Sequence, residues 1–263
     1  MARLLLLVAL LAPATARAIA PDRELSECSV DAFRARDGLP GAWIRALAQT
    51  PDGYLWIGTQ AGLAHYGGGP IVPVTGADVM GLSTGPDGAV WLIPPHGAPL
   101  CVREDVAGAC PGLETLPADA RVLAAHRDSQ GVMWLATAQA IYRHDGRLTV
   151  AQPWRGPPPT AVHHDGRLWV GTPAGLFRDS QMVLPGPVAA IAAGQGSLWI
   201  AGDHQLARID AAGTTVFTAR DGLPDGRLTA VLEDRDGNVW IGSREGLIRR
   251  PGFRQAHPRR RAA

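Results

Sequence analysis

The sequence contains no lysine: all 25 of its basic residues are arginine. That absence removes the P-loop lysine, the Schiff-base lysine and the kinase-type phosphate-binding lysine together. Asparagine occurs once, at Asn238; a GC-rich coding sequence accounts for both scarcities. Aromatic residues make up 6% of the chain and the formal net charge is +1, so there is no basic face or stripe of the kind that binds nucleic acid. The three cysteines form neither a CxxC pair nor a Cys/His cluster at zinc spacing, and neither a metal site nor a cofactor is expected. Beyond the N-terminus no segment reaches 18 uninterrupted apolar residues, and no helical 3.6-residue periodicity of useful length is present.

What is present begins with MARLLLLVALLAPATARAIA. Arg3 supplies a short positive region, Leu4–Ala12 an apolar run too short to span a bilayer, and Ala16-Arg17-Ala18 a small-x-small cleavage site. Residues 1–18 therefore read as a secretory leader, and the mature chain is expected in the periplasm without a membrane span. In that oxidising compartment Cys101 and Cys110, which flank VREDVAGA, are placed either for a local disulfide or as two half-buried thiols, with Cys28 the odd one out.

The main signal is repetition. Residues 35–63 align without a gap on 219–247, both beginning ARDGLP, with 14 of 29 positions identical. The WIG core of this segment recurs as DGYLWIGT, DGAVWLIP, QGVMWLAT, DGRLWVGT, QGSLWIAG and DGNVWIGS, which places Trp56, Trp91, Trp134, Trp169, Trp199 and Trp240 at one equivalent position. An apolar strand precedes each DG or QG turn, where glycine accepts the positive φ of a tight hairpin. The Trp strand follows, then a third strand (LAHYGG, LFRDSQ, LIRRPG) and a fourth (IVPV, LTVAQ, MVLP, TVFTA). Four short strands per unit of roughly 40 residues, with one Trp each, describe a β-propeller blade. The expected fold is all-β: a single propeller of about six four-stranded blades over residues 19–250, with room for a seventh in the termini, and a basic tail at 251–263. Closure of the ring is expected from VDAFRA (30–35), adding the outer strand after LIRR. The tryptophans read as packing between blades, at roughly 200 Å² of buried indole each.

With RDGLP, an apolar strand and DGxhWIGTxxGL in hand, the sequence resembles the two-component regulator propeller repeat family, which forms the periplasmic sensor region of many bacterial hybrid histidine kinases. The match is sharpest in the first and last units and degraded between them, where Ile93-Pro94 stands for Gly-Thr and Gln130 or Gln195 for Asp. The resemblance implies a non-catalytic sensor that binds a small molecule or glycan and works with a membrane-bound kinase or a second propeller. Members usually carry two propellers, a β-sandwich, a transmembrane helix and a kinase; this chain has one propeller's worth, so no kinase activity of its own is expected. Streptogramin lyases are related propellers, and an enzymatic reading of that type would need a His base and a metal-binding Glu at the channel mouth; an interaction scaffold is the third reading.

By analogy with other propellers, a ligand belongs where the loops entering the innermost strands converge. Registering the units on their turns puts Trp43, Asp78, Arg121 and Arg227 at those starting positions, with Arg45 two residues later in the first unit. Such a ring could hold an anionic or sugar-like ligand through bidentate Arg contacts and stacking. The alternative is that these are solvated loop residues. His163-His164 and Trp154 read as surface features.

Overall fold

The computed structural model describes residues 31–85 and 87–251, so the leader, Cys28 and all of the basic tail but Pro251 lie outside the described residues. The described residues form 24 strands in six four-stranded antiparallel sheets. The innermost strands are β2 (Ile44–Gln49), β6 (Gly81–Thr84), β10 (Ala124–Arg127), β14 (Ala161–His164), β18 (Val188–Gly194) and β22 (Leu228–Glu233). Each pairs with a Trp-bearing strand: β3 (Leu55–Thr59), β7 (Val90–Ile93), β11 (Met133–Ala136), β15 (Leu168–Gly171), β19 (Ser197–Gly202) and β23 (Val239–Ser243). The fold is therefore the six-bladed propeller, with no seventh sheet among the described residues.

The WIG repeat has a packing cause at both of its outer letters. Five of the six tryptophans are at least nine-tenths buried, from 1% exposure at Trp199 to 8% at Trp134 and Trp169, and Trp56 is half-buried. In three blades an arginine opposite the Trp on the third strand lays its guanidinium over the indole: Arg178 on Trp169, Arg208 on Trp199 and Arg249 on Trp240. The glycine is required by the next blade. A Cβ on Gly58 would lie 2.5 Å from Val79 Cγ1, and one on Gly242 would lie 2.6 Å from Ile44 Cγ2. Val79 and Ile44 each stand at the entry to the following innermost strand and are fully buried. Small residues, Ala136 and Ala201, replace this glycine in two of the other blades.

The two ARDGLP copies form matching 3-10 turns, Ala35–Asp37 and Ala219–Asp221, where Asp37 and Asp221 accept the backbone N–H of Arg34 and Thr218 at 2.8 Å. Gly38 and Gly222 follow in the left-handed region, and Leu39 and Leu223 then plug into the core at 4% and 6% exposure. One copy carries the chain into β22, the other out of β1 (Asp31–Phe33) and into β2. Between β8 (Leu100–Arg103) and the end of β9 (Val106–Ala109), Cys101 and Cys110 form a disulfide, both buried.

Ring closure is shared between the chain ends. The last blade has the order β1-β24-β23-β22, with β24 spanning Leu247–Arg250 and Phe33 opposite Leu247. Phe33 lies 5.3 Å from Tyr66 of the first blade and 5.8 Å from Trp240 of the last, ring centre to ring centre. At the inner edge Arg235 donates its backbone N–H to Gln49 Oε1 at 3.1 Å and its guanidinium to the Thr50 carbonyl, while Thr229 Oγ1 donates to the Ile44 carbonyl. Replacing Phe33 with Ala should remove two of the three ring contacts among Phe33, Tyr66 and Trp240 and cost about 2 kcal/mol. A thermal melt checks this: the midpoint should fall by several degrees, and an unchanged midpoint would show that the ring closes without Phe33.

Candidate functional site at the channel mouth

The six innermost strands enclose a central channel of about 90 Å³. Pockets that enclose a drug-sized ligand run to roughly 300–1,000 Å³, so the channel admits only a small group and anything larger must sit at its mouth. Most of its lining side chains are apolar, with Leu47, Leu82, Val162, Ile191 and Val231 among them, and Arg45 is the only charged side chain among the described residues that line it.

Local backbone structure explains why Arg45 is there. In the first, fifth and sixth blades the ladder between innermost and Trp strands slips by one residue, between Ile44 and Ala46, Val188 and Ala190, and Leu228 and Ala230. The skipped residues are Arg45, Ala189 and Thr229. A bulge of this kind bends the strand and re-aims its extra side chain. Residues at this level also reach forward to the next blade: Thr160 Oγ1 donates to the Val188 carbonyl and Thr229 Oγ1 to the Ile44 carbonyl. Arg45 does the same with a charge, its Nη1 lying 3.2 Å from Asp78 Oδ1 and also against Met80 Sδ.

The mouth thus gathers three of the residues that the sequence register selects and adds a fourth. The Arg45 guanidinium lies 4.3 Å from the Trp43 ring centre, and Arg244, on the turn between β23 and β24, lies 4.7 Å from the same ring. Trp43 is held from behind, its backbone N–H bonded to Gln60 Oε1 at 3.0 Å. Arg45 is 17% exposed at its side chain and Asp78 36%. Two selected residues go elsewhere. Arg227 pairs with Asp203 at 3.2 Å in a half-exposed bridge between the fifth and sixth blades, and Arg121 is exposed ahead of the third innermost strand. Arg244 escaped the register because it lies on a different turn, four residues after Trp240; only the ring brings the last blade against the first.

The reading of His163, towards the far end of the channel, and of Trp154 as surface features is corrected. His163 is 2% exposed and Trp154 5%; the PPP run folds back under Trp154, whose indole N–H donates to the Pro157 carbonyl at 2.8 Å. His163 and His126, on adjacent innermost strands, have ring centres 4.2 Å apart. Burial first, then the neighbouring His163, pushes His126 down to about 3, and burial pushes His163 down to about 4. His164 turns the other way, as alternation requires, and stacks on Trp134 at 4.0 Å with Nδ1 3.3 Å from Asp128. Burial would raise the Asp128 carboxyl, but hydrogen bonds from the Trp134 indole and the Val132 and Gln130 amides outweigh it and hold the group below its ordinary value.

Asp128 belongs to a set that the turn-based reading passed over. Trp134 and Trp240 donate to Asp128 and Asp234, each six residues upstream, at 2.9 and 2.7 Å. In the fifth blade the innermost strand ends at Gly194, and Glu233 of the sixth blade reaches over to accept from Trp199 at 2.6 Å. An acid six residues before the Trp was the available signal in the third and sixth blades; the first blade uses the Thr50 hydroxyl and the fourth Asp165, four residues upstream. Among the described residues no group of three or more His, Cys, Asp or Glu side chains is placed to hold a metal ion.

Comparisons with known proteins agree with this architecture. The family model described as two component regulator propeller matches residues 38–61 and 222–245, the entry loop, innermost strand and Trp strand of the first and last blades. No curated protein matches the chain significantly. Among solved structures, the chain is similar to the extracellular domain of a putative hybrid two component system from B. thetaiotaomicron, with a TM-score of 0.62 and 13% identity, covering 85% of this chain and 41% of that one. It therefore spans about two-fifths of that protein's length. It is also similar to a gluconolactonase from Xanthomonas campestris (TM-score 0.67, 14% identity, 87% and 91% covered) and to a streptogramin B lyase (TM-score 0.58, 15% identity, 87% and 99% covered). At these identities the likeness is one of fold.

The histidine pair makes stability depend on pH. Both rings stay neutral in the fold, whereas in the unfolded chain they take up protons near the ordinary value of about 6.5. The unfolded state thus binds more protons below that pH, and stability falls as pH drops from about 6.5 towards 4, by up to about 1.4 kcal/mol per pH unit for each ring. Thermal melts across this window should show the decline and a His126→Leu/His163→Leu variant should flatten it. Any loss through Asp128 belongs mainly to lower pH, beginning as pH falls through the ordinary carboxylate value of about 3.9 and completing below its depressed one. A wild-type midpoint constant from pH 6.5 to 4.5 would contradict this account.

Proposed function

We propose that the chain is an exported, non-catalytic ligand-binding propeller of the two component regulator type, which presents a ligand held at its channel mouth to a signalling partner. One observation supports this reading above the rest. The bulge in β2 sets a single charge among the otherwise uncharged side chains that line the channel, within reach of an indole, a carboxylate and a second guanidinium from the opposite end of the chain. A residue needed only to join two blades does not require this assembly, since Thr160 and Thr229 join blades with a hydroxyl. The regulator-type repeats and the likeness to an extracellular sensor domain support the signalling role, with a membrane-bound kinase or a second propeller as the partner. The leader at residues 1–18 supports export to the periplasm.

A thermal-shift screen against glycans and small anions tests the ligand role. At least one class should raise the melting midpoint by several degrees, and Arg45→Ala or Trp43→Ala should abolish that shift, whereas Arg121→Ala plus Arg227→Ala should leave it. A hit that survives loss of Arg45 would place binding away from the mouth. For export, the mature N-terminus recovered from a periplasmic fraction should be Ile19.

A further inference from the structure

Resting on the reading of the mouth as a ligand site, we propose that its ligand is a small monocarboxylate with a short apolar tail, the carboxylate at the rim and the tail in the channel. Charge sets the first half. Arg45 and Arg244 bring two positive charges to the Trp43 ring and Asp78 brings one negative charge. Arg227 adds nothing, being matched by Asp203. The cluster is one positive charge in excess, which a monoanion neutralises and a dianion overshoots. Available donors agree: Trp43 Nε1 and Arg45 Nε are both buried without a hydrogen-bond partner. A buried N–H is costly until it meets an acceptor, and a carboxylate offers two oxygens to guanidinium and indole donors.

The channel sets the second half. At the level of Arg45 it is walled by Met80, Leu123, Thr160 and Ala189. The Thr160 hydroxyl is already spent on the Val188 carbonyl. Its volume of about 90 Å³ is well below the engineered apolar cavity of about 150 Å³ that holds benzene. It suits an unbranched tail of a few carbons. A glycan would leave the apolar wall uncovered, and inorganic phosphate would leave it empty.

Isothermal titration of the purified chain at low salt, with acetate, butanoate, butanamide, succinate and inorganic phosphate as probes, tests this. Butanoate should bind at least tenfold more tightly than acetate, butanamide or succinate, and phosphate more weakly still. This comparison uses the unaltered protein and needs no variant to fold. Arg45→Gln and Arg244→Gln should each weaken butanoate tenfold or more. Ala189→Leu, which narrows the channel at the level of Arg45, should abolish the advantage of butanoate over acetate. Equal affinity for butanamide or succinate, or an undiminished butanoate advantage in Ala189→Leu, overturns the proposal. If no carboxylate binds but a glycan does so only when Arg45 is present, the ligand class is wrong and the mouth remains a ligand site. If whatever binds is indifferent to Arg45, both readings fall.

Discussion

Each joint of this ring rests on a side chain at the entry to an innermost strand lying on the second strand of the blade before it. Ile44 on Gly242 and Val79 on Gly58 show the extreme form, with no room for even one extra carbon. Dispersion and apolar burial at such contacts are short-ranged, so the spacing between neighbouring innermost strands is set there, and with it the bore of the channel. The indole two residues before the glycine then packs in the same interblade layer, and its N–H must find an acceptor once buried. Asp128, Asp165 and Asp234 supply that acceptor within their own blades. The repeat thus records three demands at successive positions: an acid to receive the indole, the indole itself, and bare backbone for the neighbour.

The mouth departs from the repeat where the repeat allows it. Six residues occupy the level of Arg45, and five of them are Met80, Leu123, Thr160, Ala189 and Thr229, all uncharged. The slip in the ladder at this level turns its residue out of the sheet without disturbing the glycine contact one residue away. Chemistry can therefore change there at little cost to the joint. The same separation explains why the blade seam joining the chain ends carries both the strongest closure contacts and the most polar part of the mouth: Arg244 reaches Trp43 only because β1 and β24 pair.

Fold class, blade number and the closing strand were legible in the sequence because they depend on periodic, local signals: the Trp spacing, the DG turns, and the outer strand left over at 30–35. The site was legible in part. Trp43, Arg45 and Asp78 share the entry position of consecutive blades, and a register on the turns finds them together. Arg244 lies 201 residues from Trp43 on a different turn, and no local pattern marks such a neighbour. Arg227 had the right register but Asp203 claims it. His163 and Trp154 were misread because burial of a loop or strand residue depends on what a neighbouring blade lays over it, which alternation along one strand does not reveal.

The Glu233–Trp199 bond gives the fifth blade a different standing from the others as a unit of descent. A blade whose indole is received by its own acid can be copied, moved or lost with its internal bonding intact. The fifth leans on its neighbour: with Gly194 ending its innermost strand, its buried indole N–H donates to Glu233 of the blade that follows. Blades five and six are therefore coupled in descent, since a rearrangement of this ring that keeps the fifth without the sixth removes the Glu233 acceptor from its indole.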